Sequence, residues 1–223
     1  MNKIQHPREA EYIFLDLDGT LTDPSEGIIN ATIQALEYFG IHETDREKLG
    51  DFIGPPLYVS FAKHYGFNRE KSQKAIEVFQ DYYAPKGLYE NTPYPGMREL
   101  LASWKDEGRK LVLATSKPEI FAMQILERFG MAGSFTFIGG GDPCETRVHK
   151  SDVIRYGLGK LGLTADIPAV MVGDTKYDIL GAEEVGFPTI AVTYGFGKLE
   201  DILEAGASWV VDSVDELGAL MKR

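Results

Sequence analysis

The sequence has almost no cysteine, lacks any apolar run long enough to span a bilayer, and is poor in positive charge. Its one cysteine, Cys144, cannot close an intrachain disulfide; it reads as a loop residue and fits a reducing, cytoplasmic setting. Without a long apolar run, no membrane partner is expected. Met1 to Ala10 is polar, with Lys3, His6, Pro7 and Arg8, and lacks the apolar stretch and cleavage pattern of a secretory signal. Lysine and arginine total 23 against 34 aspartates and glutamates, a formal net charge of -11. That deficit excludes a nucleic-acid polymer gripped on a broad basic surface. Small anions are not excluded, because a bound metal ion or one well-placed lysine can dominate the field inside a cleft. Internal repeats and low-complexity segments are also missing.

What is present is an ordinary folded composition, 43% hydrophobic and 26% charged, over 223 residues. That length suits a main domain with a smaller inserted unit. The apolar run Tyr12 to Leu15 stops at Asp16 and predicts a strand buried on both faces, as in a parallel sheet. The pattern recurs at Leu111 to Ala114 before Thr115, Phe135 to Ile138 before three glycines, and Ala169 to Val172 before Gly173 and Asp174. Further strands are expected at Thr189 to Thr193 and Trp209 to Val211. Helical patterns at Pro118 to Phe129, Val153 to Leu161 and Tyr177 to Val185 alternate with them. The alternation predicts an α/β fold, an open parallel sheet flanked by helices. Ligands collect at the carboxyl ends of such strands, so Asp16, Thr115 and Asp174 are expected to face one crevice.

From about Thr22 to Leu88 the sequence predicts helices only, so residues 22–88 read as a helical insertion between core segments 1–21 and 89–223. Its first helix is expected to use Asp23 as N-cap with Pro24 at the first helical position, to bury Ile29, Ile33 and Leu36, and to end near Gly40. A second is expected from Thr44, with Glu47 completing a capping box, a third after Pro55 and Pro56, and a fourth from about Arg69 to Tyr83. Lys86 to Gly96, rich in glycine and proline, returns the chain to the sheet. Tyrosines 58, 65, 82, 83 and 89 are expected to be core residues rather than a stacking surface.

The strongest chemical signal is Asp16-Leu17-Asp18-Gly19-Thr20 directly after a buried strand. Carboxylates two positions apart in extended chain project to one side, and their repulsion calls for a cation between them. Magnesium suits few carboxylates, water and a substrate phosphate. Gly19 permits a sharp turn. Further along lie Ala114-Thr115-Ser116-Lys117, Arg147-Val148-His149-Lys150-Ser151 and Gly173-Asp174-Thr175-Lys176-Tyr177-Asp178. Lys117 reads as a helix-start residue ahead of Pro118.

These four motifs, in this order, resemble those of the haloacid dehalogenase superfamily. With Gly54-Pro55-Pro56-Leu57 and Pro93-Tyr94-Pro95-Gly96, the likeness is greatest to its phosphoglycolate phosphatase-like branch. The resemblance implies a Rossmann-like parallel-sheet core with an all-helical cap, and a magnesium-dependent phosphatase acting on a small phosphate monoester. Asp16 matches the nucleophile that accepts the phosphoryl group, and Asp18 the acid that protonates the leaving oxygen and later activates water. Asp16, the Asp18 carbonyl and Asp174 match the magnesium ligands, with Asp178 in the outer shell. Thr115 and Lys150 match the second-motif and third-motif residues, and Gly19, Thr115, Ser116 and Lys150 are expected to contact phosphate. Arg147 rivals Lys150 for the third-motif cation. Phosphoglycolate, a nucleotide and a sugar phosphate all stand as substrates, phosphoglycolate slightly ahead. A phosphomutase is the nearest alternative, and a non-catalytic phosphate-binding regulatory protein the alternative from another class. A dehalogenase is disfavoured by Asp18.

Overall fold

The structure, a computed structural model, describes residues 4–142, 147 and 149–223. Cys144 and Val148 lie outside the described residues. The chain divides into two compact units, Met1–Thr22 with Pro93–Arg223, and Asp23–Thr92. Among the described residues no helix is long and apolar enough to cross a membrane.

The strands are β1 Tyr12–Leu15, β2 Thr22–Asp23, β3 Thr92–Pro93, β4 Lys110–Pro118, β5 Phe135–Gly141, β6 Ala169–Gly173, β7 Thr189–Val192 and β8 Trp209–Val211. Six of them form one sheet in the order β5-β4-β1-β6-β7-β8, all neighbours parallel. β1 is short because three successive buried apolar residues suffice to place it between two partners. Its register sets Leu15 beside Leu113 of β4 and Val172 of β6, which brings three carboxyl ends together. The helices of this unit are α5 Met97–Asp106, α6 Glu119–Arg128, α7 Lys150–Leu161, α8 Lys176–Val185, α9 Leu199–Glu204 and α10 Val214–Met221.

Both faces of the sheet are covered, which is why its strands read as continuous apolar runs. Phe14, Val112, Ala114 and Met171 pack with Val153, Ile154 and Leu158 of α7 and with Ala182 of α8. Their strand neighbours Ile13, Leu15, Leu111, Leu113, Val170 and Val172 point the other way and are equally buried. Phe14 also meets Phe187 with ring centroids 5.2 Å apart.

The second unit holds α1 Ser25–Tyr38, α2 Arg46–Gly50, α3 Leu57–Tyr65 and α4 Arg69–Tyr83. Its core is aromatic: Phe52 meets Phe61 at 4.9 Å, and Phe61 stacks on Phe67 at 5.6 Å. Several local expectations need correction. The stretch expected to be purely helical opens on β2. Pro24, not Asp23, is the N-cap of α1, while Asp23 Oδ1 accepts from the Ser25 N–H at 2.8 Å. Ile33 is only partly buried, and Gly27, Ile28, Ala31, Thr32 and Ala35 share the inward face with Ile29 and Leu36. α2 starts after Asp45, whose carboxylate accepts from the Glu47 and Lys48 N–H groups in place of the Thr44 capping box. Of the five tyrosines, Tyr83 is buried, whereas Tyr58 and Tyr89 are exposed.

Phe14→Ala removes a ring packed between two strands and two helices, and should lower unfolding free energy by about 3–5 kcal/mol. Denaturant unfolding at constant slope checks it; a loss of less than about 1 kcal/mol, the scale of a surface change, would contradict the packing described.

Candidate active site

The β1 ladder extends one residue past the strand, with the Asp16 N–H donating to Val172 O at 3.0 Å, so Asp16 is fixed by backbone before its side chain is considered. Beyond it the chain bends at once. The N–H groups of Thr20, Leu21 and Thr22 all donate to Leu17 O, and Gly19 N–H donates to Thr22 O. Asp16 and Asp18 therefore do not share one face of extended chain; the turn sends them to different partners.

Lys150 opens α7 and is buried, with Nζ 2.8 Å from both Asp16 Oδ1 and Asp178 Oδ1 and donating to Ala114 O at 3.0 Å. Both carboxylate contacts are ion pairs at hydrogen-bonding distance. Burial alone would lower the Lys150 pKa, but Asp16 and Asp178 outweigh it and raise the value. Arg147 is committed elsewhere: Nε donates to Gly140 O at 3.1 Å, and the guanidinium lies 3.9 Å from the Tyr156 ring centroid. The cation beside Asp16 is thus Lys150.

Asp174 follows β6 and is almost fully buried. Its Oδ2 accepts from the Phe196 N–H at 2.8 Å, and its Oδ1 from the Thr20 hydroxyl at 3.4 Å. Desolvation, then the nearby Asp178 and Asp16 charges, push its carboxyl well above the usual range. Asp178 has two jobs: Oδ2 caps α8 by accepting from Thr175 N–H at 3.0 Å and Thr175 Oγ1 at 2.8 Å, while Oδ1 meets Lys150. Carboxylate oxygens of Asp16, Asp174 and Asp178 lie within 4.8 Å of one another.

Asp18 turns instead to Lys117, whose Nζ donates to Asp18 Oδ2 at 2.7 Å. Burial raises the Asp18 carboxyl above its ordinary value, with Lys117 opposing and Asp16 adding to the rise. Lys117 is not a helix-start residue: β4 continues to Pro118, past a register shift after Ala114. Thr115 is buried at the same strand end, where its Oγ1 accepts from the Lys117 N–H at 3.3 Å; Ser116 is exposed beside it.

The turn expected at Gly19 is present, and two close approaches to Asp174 go beyond that expectation. Gly19 has φ +82°, and a Cβ there would overlap the Asp174 carboxylate. A Cβ at Gly195 would overlap the same group and the Gly19 carbonyl oxygen. The loop after β7 therefore packs Gly195 directly against Asp174 and supplies the Phe196 N–H. Tyr194 pins this loop by donating from its hydroxyl to Thr20 O at 3.0 Å. Its one sequence signal was position, after an apolar strand in a parallel sheet.

The acidic group fits a hard divalent cation. Asp16, Asp174 and Asp178 face one lysine in a buried site, an excess of negative charge that must be protonated or compensated. Asp178 Oδ1 is neutralised by Lys150, whereas Asp174 meets only the neutral Thr20 and Phe196 donors, so the uncompensated charge lies at Asp174.

The family described as haloacid dehalogenase-like hydrolase matches residues 12–192. A 5'-nucleotidase from Pseudomonas aeruginosa is 42% identical over 193 residues, covering 86% of each protein. A phosphoglycolate phosphatase from Vibrio parahaemolyticus is 30% identical over 218 residues, covering 94% of this chain and 95% of that protein. The crystal structure of a predicted phosphatase from Clostridium acetobutylicum is 45% identical with a TM-score of 0.89, covering 94% of this chain and 97% of that one. The chain belongs to the haloacid dehalogenase-like hydrolase family and is an enzyme of its phosphatase type.

Lys150→Met would leave the Asp16 and Asp178 carboxylates buried without their cation, and should destabilise the metal-free protein at neutral pH by about 3–5 kcal/mol. Denaturant unfolding in chelator checks this; unchanged stability would show that the lysine does not hold the pair.

Proposed function

We propose that the chain hydrolyses a small phosphate monoester through a phosphoryl ester on Asp16, with magnesium as cofactor. One observation carries this: the Asp16 carboxylate stands at a strand end against Lys150, with a cluster of carboxylates suited to a cation beside it. Phosphoryl transfer demands chiefly an aligned nucleophile and neutralised oxygens, which such a site supplies.

In the first half-reaction the Asp16 carboxylate attacks phosphorus. The bond to the leaving oxygen breaks as Asp18 gives that oxygen its proton. In the second, Asp18 takes a proton from water as the water oxygen bonds to phosphorus and the Asp16–phosphorus bond breaks, releasing inorganic phosphate. Lys150 offsets charge on Asp16 and the phosphoryl oxygens. Thr115, Ser116 and Gly19 orient the phosphoryl group. Asp16, Asp174 and the Asp18 carbonyl would hold magnesium, with Asp178 orienting the outer shell. When bound, the ion supplies Lewis-acid stabilisation of phosphoryl charge.

For the substrate we favour a nucleoside 5'-monophosphate over phosphoglycolate, since the identity to the 5'-nucleotidase is 42% against 30% to the phosphoglycolate phosphatase. The helical unit Asp23–Thr92 is proposed as the cap that selects among such esters.

A phosphate-release screen with magnesium tests both levels. Nucleoside 5'-monophosphates should show the higher kcat/KM, and a preference for phosphoglycolate or a sugar phosphate would overturn the substrate. Asp16→Asn should bind substrate yet lose turnover by a factor of about 10⁴ or more; substantial remaining activity would remove Asp16 from its role. Chelator should abolish wild-type turnover and magnesium restore it, whereas indifference to chelator would remove the metal.

A further inference from the structure

None of the roles above uses Lys117, a buried cation at the carboxyl end of β4. Its side chain is 5% exposed, that of Asp18 is 17% exposed, and the two meet at 2.7 Å between Nζ and Asp18 Oδ2. Its placement is local and specific. β4 carries extra residues between Ala114 and Pro118 relative to β5, and within that irregularity the Lys117 N–H is tied to Thr115 Oγ1. The lysine is thus fixed by backbone on the strand that also presents Thr115. The second carboxyl oxygen, Asp18 Oδ1, is buried with no hydrogen-bond partner among the described residues. An exposed lysine–carboxylate pair would fix little. A charge-assisted bond between a buried lysine and a partly buried carboxylate holds that carboxyl in one orientation.

We propose that Lys117 is a positioning residue for the proton donor: bonded to Oδ2, it fixes the orientation of the Asp18 carboxyl that exchanges the proton. This deepens the two-step reaction above and rests on it. In the first step the proton starts on the Asp18 carboxyl, the bond between phosphorus and the leaving oxygen breaks, and that leaving oxygen takes the proton. The carboxylate left behind stays paired with the Lys117 ammonium. In the second step the Asp18 carboxylate accepts a proton from the attacking water as the water oxygen bonds to phosphorus and the Asp16–phosphorus bond breaks. Lys117 keeps its own protons throughout.

Such a residue leaves a signature that a purely structural lysine does not. Proton donation matters most for a poor leaving group, an alkoxide, and least for one that departs as a stable anion. The test compares wild type, Lys117→Met and Asp18→Asn, with magnesium, on a nucleoside 5'-monophosphate and on p-nitrophenyl phosphate. Lys117→Met should lose kcat about 100-fold on the alkyl ester and about tenfold less on the aryl ester, within the range of general acid catalysis. Asp18→Asn should show the same bias, more strongly. Lys117→Gln serves if the Met variant fails to fold, with thermal unfolding as the check on both. Equal loss on the two esters in a folded Lys117 variant overturns the proposal. No bias in Asp18→Asn instead overturns the acid role of Asp18, and the proposal with it.

Discussion

Four carboxylates and two lysines gather at the carboxyl ends of three adjacent parallel strands, carried by those strands, the turns after them and the starts of α7 and α8, and the remainder of the larger unit serves to keep them there. Asp18 has Lys117, while Asp16 and Asp178 share Lys150. Asp174 is left with a backbone N–H and a hydroxyl in a nearly dry position. Burying that excess of negative charge is unfavourable for the isolated chain, and water cannot relieve it at this depth. The site is therefore stable in its ionised form only with a further positive charge, which is the physical reason for expecting a divalent ion there.

The fold supplies the constraint in three ways. Pairing of β1 with β4 and β6 fixes where Asp16, Thr115 and Asp174 begin, independent of their side chains. The starts of α7 and α8 bring Lys150 and Asp178 to the same place, and the Asp178 carboxylate serves as helix cap and ion-pair partner together. Glycines 19 and 195 let backbone approach Asp174 so closely that no side chain could intervene. A preorganised group of this kind costs stability and gains electrostatic control of a charged transition state.

Much of this was legible from residue order. Uninterrupted apolar runs identify strands covered on both faces, and an aspartate ending such a run stands where a parallel sheet presents ligand groups, so Asp16 and Asp174 could be found with no coordinates. Lys150 was reached through family likeness, because its spacing from either aspartate carries no information until α7 is docked on the sheet. Lys117 was hidden for a different reason. The residue pair Lys-Pro imitates a helix start, whereas pairing with β5 carries β4 on to Pro118 past an irregularity that leaves no mark in hydrophobic periodicity. The loop holding Phe196 was equally silent, since its contribution is a backbone N–H that any residue but proline would supply. Local caps were misplaced by one residue each, at Pro24 and at Asp45, where neighbouring acids and hydroxyls offer near-equivalent acceptors.

The central claim is that the buried carboxylates form a site for one divalent cation. Calorimetric titration of the metal-free protein with magnesium tests it most directly. Wild type should bind a single ion, and Asp174→Asn, which removes charge while conserving shape, should abolish or greatly weaken that binding. Undiminished magnesium affinity in the asparagine variant, or none in wild type, would contradict it.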